Sequence, residues 1–234
     1  MSIKEFSITK IKNILFLYSF VFIPMWSIFV INNIFLNDSL ASFGGIHPRE
    51  FDIHGFIPIF TSWLLHGSTG THIYNHILGN SIALVGLLFI IGLIEKNPIK
   101  IICLLIVGSG IFTWLLGAPN SVHIGASGLV FALFGYVLSS VLLGKRWIYI
   151  IPILFVGGDY FYSLRVGLIP QAGVSFSAHF GGFIAGIVIG YYFGKILATN
   201  NQGYVYQKSL KDKIADLKWE IKYFFKSKIK NFRG

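Results

Sequence analysis

Hydrophobic positions in this chain come in long runs, not in the short stripes that a soluble helix or strand shows. Six runs approach the length needed to cross a bilayer: residues 13–36, 72–94, 99–118, 127–143, 147–162 and 176–197. Each is predicted to be a helix, because a helix satisfies its own backbone groups where lipid offers no partners. The expected fold is an all-α membrane protein: a cytoplasmic N-terminus (1–12), a six-helix bundle (13–198) and a tail (199–234).

The runs differ in ways that bear on chemistry. From Gly128 to Leu143 the fourth holds about 16 residues, or about 24 Å at 1.5 Å each, against a hydrocarbon core of about 30 Å. If Lys145 and Arg146 fix its inner end, its outer end lies below the opposite surface. The preceding loop then dips into the membrane, where only protein or a water-filled cavity can surround it. The third run, with Gly108 and Gly110, reads as packing. Pro152 and Gly157-Gly158 interrupt the fifth, which carries Asp159 and is expected to be the least rigid. Gly182, Gly186, Gly190 and Gly194 make a smooth stripe on the sixth, suited to close approach of another helix. Residues 37–71 form an outer segment too long for a simple connector.

Composition agrees: 54% hydrophobic, 12% charged and a mean hydropathy of +0.70 exclude an ordinary soluble domain. Lys4, Lys10 and Lys12 before the first run imitate a signal peptide, but the run exceeds an h-region and no clear cleavage signature follows, so the helix is expected to be retained. Six spans with the N-terminus inside put seventeen Lys and Arg residues on the cytoplasmic side and only Arg49 and Arg165 outside. Both termini are therefore predicted to be cytoplasmic. The lack of an Arg- and Ser-rich leader favours a bacterial cytoplasmic membrane.

The net charge of +10 is then mostly a property of one face, implying contact with anionic lipid and not nucleic acid. Leu210, Ile214, Leu217, Ile221 and Phe224, among lysines, predict a basic amphipathic tail helix on that leaflet, with a coiled-coil seam as the alternative. Cys103 stands alone and forms no internal disulfide.

Polar residues gather near the second span: His66 before it, then His72, His76 and Asn80 at i, i+4 and i+8 on one helix face. Paired histidines suggest zinc first, but the glutamate of the metalloprotease helix is missing and His66 is the sole further ligand in view, so no metal or cofactor is expected. Polar residues facing a bundle interior are functional candidates. Counting back from the cytoplasmic ends puts Ser127, His179, Asn80 and His76 about 27, 24, 22 and 28 Å up, in one layer.

A nucleophilic serine needs a base, and His179 is the candidate. Attack on a carbonyl also needs preorganised donors for the oxyanion. The Asn80 amide, the His76 imidazole and backbone N–H groups near Ser127, including that of Ala126, are candidates. Taken alone, Gly125-Ala126-Ser127-Gly128 is more commonly a helix-packing run.

At these residues the sequence resembles the rhomboid intramembrane serine proteases. The matching pieces are Phe60-Thr61-Ser62-Trp63-Leu64-Leu65-His66, His76-Ile77-Leu78-Gly79-Asn80, Gly125-Ala126-Ser127-Gly128, and Ala178-His179 running on to Gly182 and Gly186. The resemblance covers roughly residues 13–197. It implies a six-helix bundle with a Ser127–His179 dyad, an oxyanion site including His76 and Asn80, and a ring, Phe131, packed on the histidine one turn after the serine. It also implies membrane-spanning protein substrates, single-span or other. The Trp-Arg pair that many members carry in the first loop is absent, and no carboxylate accompanies the dyad. A non-catalytic rhomboid-like protein that binds transmembrane helices is the alternative, and a small transporter ranks last for want of an inverted repeat.

Overall fold

A computed structural model describes residues 3–50, 53–67, 74–144, 146–150, 167–169 and 175–199. Most of the expected fifth span, Asp159, His72 and the tail beyond Thr199 lie outside the described residues. The architecture is helical: α1 (Ile3–Phe35), the short α2 (Leu40–Gly44), α3 (Ile53–Phe56) and α4 (Pro58–Thr61), a 3-10 turn (Ser62–Leu64), then α5 (Asn75–Ile94), α6 (Pro98–Leu116), α7 (Ser127–Leu142), a second 3-10 turn (Trp147–Tyr149) and α8 (Phe176–Thr199). Among the described residues there is no strand, only an antiparallel bridge between Ile46 and His123.

Among the described residues, four helices have stretches long and apolar enough to cross a membrane: Ile8–Phe35, Asn75–Ile94, Pro98–Leu116 and Phe176–Phe193. α7, at 16 residues, is too short by that measure. It is instead the centre of the molecule. Its buried residues fall on every face, from Gly128 and Leu129 through Phe131, Tyr136 and Val141, as expected of a helix that is apolar all round and enclosed by others. Leu17, Val21, Met25 and Phe29, one per turn, turn α1 inward. Ile23, Ile34, Phe35, Ile82 and Val188 face outward, where lipid replaces water as the solvent.

The glycine stripe of α8 seats it on α7. A Cβ at Gly182, Gly186 or Gly190 would lie 2.2, 2.0 or 2.7 Å from the carbonyl oxygens of Gly128, Ala132 and Tyr136. Larger side chains would push the helices apart, so the spacing of four does pack, as expected.

A polar knot ties the C-terminal end of α7. Glu95, which ends α5, takes the hydroxyl of Tyr136 and the guanidinium of Arg146 on Oε1 at 2.6 Å each, and the hydroxyl of Tyr149 as well. Lys10 Nζ donates to the Glu95 carbonyl at 2.9 Å, which adds α1. A buried carboxylate is tolerable because it is paired and multiply hydrogen-bonded.

Candidate active site

Ser127 is the first residue of α7, following Ala126 as N-cap, and is partly exposed. The first rung of the helix runs from the Val130 N–H to the Ala126 carbonyl at 3.0 Å. By helix geometry the N–H groups of Ser127, Gly128 and Leu129 have no acceptor within α7 and crowd around the serine at the positive end of the helix dipole.

The loop before it turns at Gly125, where φ is +112° and the N–H donates to the Ser62 carbonyl at 3.0 Å. A Cβ here would stand 2.8 Å from His76 Nε2 and 3.8 Å from Asn80 Nδ2. Glycine is therefore required twice, by the backbone and by the ring beside it. The same distances bring the His76 and Asn80 face of α5 against the serine loop, as the depth count expects.

His179 lies in the first turn of α8 and is 8% exposed. Its Nδ1 is 2.8 Å from the Gly167 carbonyl. A carbonyl only accepts, so the ring proton is on Nδ1 and Nε2 carries the free lone pair. Phe131 stacks on the imidazole with centroids 4.2 Å apart and planes at 22°, one turn after Ser127 on the same face. Across the α7–α8 seam, a Cβ at Gly128 would stand 3.6 Å from the Ala178 carbonyl. The chain neighbours of the serine and the histidine thus meet.

His66, weighed in the sequence only as a possible further ligand of a metal that was not expected, acquires a place here. It is 1% exposed, and its Nε2 lies 3.3 Å from the Ala126 N–H and 3.0 Å from Asn80 Nδ2. A backbone N–H only donates, so Nε2 is an acceptor, and the Asn80 amide must turn its NH2 group, not its oxygen, toward the ring. The His76 ring lies near edge-on, 4.9 Å away. Burial, then the neighbouring His76, hold the His66 pKa down to about 3, so the ring stays a neutral acceptor near neutral pH. Ala126, expected among the oxyanion donors, has its N–H turned toward His66. The N–H groups of Ser127 and Gly128, by contrast, have no acceptor within α7.

His123 and Ser175 were missed as site residues. His123 Nε2 lies 2.8 Å from Ser121 Oγ and its Nδ1 2.5 Å from Ser175 Oγ. A histidine four residues before the serine, in a loop expected to dip into the membrane, was a signal that could have been used. Between this loop, α6 and α8 lies a cavity of about 20 Å³, lined by Ser62, Ser109, Thr113, His123, Gly125 and Gly128 among others. That is room for about one water. Among the described residues, no three His, Cys, Asp or Glu side chains stand together as a metal site would need.

The Rhomboid domain pattern matches residues 54–196, more than half of the chain. The chain belongs to the rhomboid family. It is therefore an integral membrane protein of a family whose members are generally intramembrane serine proteases. This rhomboid is similar to uncharacterized proteins of Mycobacterium tuberculosis (strain H37Rv) and Mycobacterium bovis, each 30% identical over 165 residues, 67% of this chain and 66% of the relative. An uncharacterized protein of Mycobacterium leprae is 32% identical over 126 residues, half of each chain. The match thus spans just under two thirds of the first relatives' length.

Proposed function

We propose that this rhomboid is an intramembrane serine endopeptidase acting on membrane-spanning protein substrates. Ser127 Oγ attacks the scissile carbonyl carbon as its proton passes to His179 Nε2. The carbonyl oxygen becomes an oxyanion held by the His76 ring, the Asn80 amide and the first N–H groups of α7. Collapse breaks the C–N bond, and His179 returns the proton to the leaving amine. Water, deprotonated by the same imidazole, then attacks the acyl carbon; the C–O bond to Ser127 breaks and His179 returns the proton to Ser127 Oγ.

The observation that carries this reading is the Gly167 carbonyl on His179 Nδ1. It leaves the basic lone pair on Nε2 while Phe131 fixes the plane of the ring. Such a general base contributes roughly 10²–10⁴-fold, and a single oxyanion donor about as much as 10³-fold. A lone Ser-His pair without a carboxylate is workable because a carbonyl can orient the ring and hold the tautomer.

In the same reading the protein sits in a bacterial cytoplasmic membrane with both termini inside, and the basic tail binds anionic lipid. Purified protein in lipid should cleave a transmembrane reporter and lose all measurable cleavage as Ser127→Ala. Retained cleavage in that variant refutes the assignment; an inert wild type that still binds the reporter supports a non-catalytic helix-binding protein instead.

A further inference from the structure

The serine and the histidine belong to different elements, and a fourth histidine connects them. His123 sits in the loop that carries Ser127. Its backbone is paired both ways with Ile46 of the first loop, at 2.9 and 3.0 Å. Its ring is enclosed: a Cβ at Gly117, the end of α6, would stand 2.9 Å from Nε2 and 2.3 Å from Pro48.

The protons along this ring can be assigned. Ser121 Oγ donates to the Ala118 carbonyl at 2.5 Å, so its oxygen is left to accept, and His123 Nε2 carries the N–H that it receives at 2.8 Å. Nδ1 then holds a lone pair and takes the hydroxyl proton of Ser175 at 2.5 Å. Ser175 Oγ in turn accepts the Ala178 N–H at 3.3 Å, as an N-cap serine does. The Ser175 carbonyl accepts the His179 N–H at 3.1 Å. Each hydroxyl in the chain donates once and accepts once, each ring nitrogen has a single role, and together they join the serine's loop to the first turn of the helix bearing His179. The ring tautomer is opposite to that of His179, whose proton is on Nδ1.

We propose that His123 is a positioning residue that holds the Ser127 loop at working distance from His179 through Ser175. This rests on the protease reading above and deepens it. Both ring nitrogens are engaged, by Ser121 and Ser175, which leaves neither for substrate, so the ring acts on the rate of chemistry and not on substrate binding. A neutral ring that must donate at one end and accept at the other is imitated by a carboxamide, but not by a hydrocarbon.

The test uses the full-length protein in liposomes with a transmembrane reporter, comparing wild type, His123→Ala, His123→Gln, Ser175→Ala and the double alanine variant. Each single alanine change is expected to lower kcat about tenfold, the worth of one hydrogen bond, with KM unchanged. The double variant should be no slower than His123→Ala, because both changes break one connection, and His123→Gln should recover much of the rate. Unchanged kcat, a KM that rises in step, or losses that multiply to about a hundredfold would overturn the proposal. Should His123→Ala fail to fold, the Ser175→Ala and His123→Gln kinetics decide the matter alone. An active wild type indifferent to these changes refutes this inference only, whereas an inert wild type refutes the parent reading and this one with it.

Discussion

At the C-terminal end of α7, three donors converge on one carboxylate oxygen: Tyr136, Arg146 and Tyr149 on Glu95. At its N-terminal end, the loop before Ser127 and the start of α8 meet imidazoles whose protons are assigned by backbone groups, His179 by Gly167 and His66 by Ala126. Both clusters are polar groups removed from water. The first is saturated, so its charge is neutralised where it stands and it can only hold helices together. The second, among the described residues, keeps a lone pair on His179 Nε2 and N–H groups at the start of α7 uncommitted, at some expense in stability. Buried polarity fastens where it is satisfied and is available for chemistry where it is left short.

This contrast can be broken from either end. Glu95→Ala leaves Arg146 buried without its counter-charge and should cost about 3–5 kcal/mol of stability, read as a large drop in the thermal midpoint in detergent. The fraction that remains folded should retain its kcat. Asn80→Ala should do the reverse, lowering kcat roughly 10²–10³-fold, about 2.7–4 kcal/mol on the barrier, while the thermal midpoint moves far less. If Asn80→Ala instead destabilised as much as Glu95→Ala, the division between fastening and working polarity would be wrong.

Phe131→Leu keeps an apolar side chain but removes the stacked ring, and should slow cleavage by about tenfold, the worth of an aromatic contact. The smallest effect concerns acid. His66 has its folded pKa far below the ordinary value of 6.5, so the unfolded chain binds the proton first. Its contribution to stability is complete above pH 6.5 and is lost as pH falls toward 3, by about 1.4 kcal/mol per unit once well below 6.5. A thermal-midpoint series from pH 7 to 5 should therefore fall less steeply for His66→Gln than for wild type, and parallel slopes would contradict the burial argument.

How much of this was legible in the sequence follows from which forces leave a periodic trace. The helical rise is constant, so Ser127, His179, His76 and Asn80 could be put in one layer by counting, and α5 and α7 do bring the last two against the serine loop. The length of α7 was legible for the same reason. The first helix starts at Ile3 and not at residue 13, because hydropathy marks where lipid begins and says nothing of where hydrogen-bonded turns begin.

What the pattern did not carry are bonds between loops and distant elements. His66 reaches Ala126 across 60 positions, His123 reaches Ser175 across 52, and Glu95 reaches Arg146 across 51. No local period encodes such pairs. Only the topology brings them together, which is why His66 was given no place at the serine loop and His123 was passed over.

The central claim is that Ser127 is a nucleophile made reactive by His179. A serine-directed fluorophosphonate probe on the purified full chain in lipid tests it most directly. Labelling that maps to Ser127 and disappears in His179→Ala, with the variant still folded by its thermal midpoint, is the predicted result. Labelling of Ser127 that persists without His179, or a folded wild type that takes no label, would contradict it.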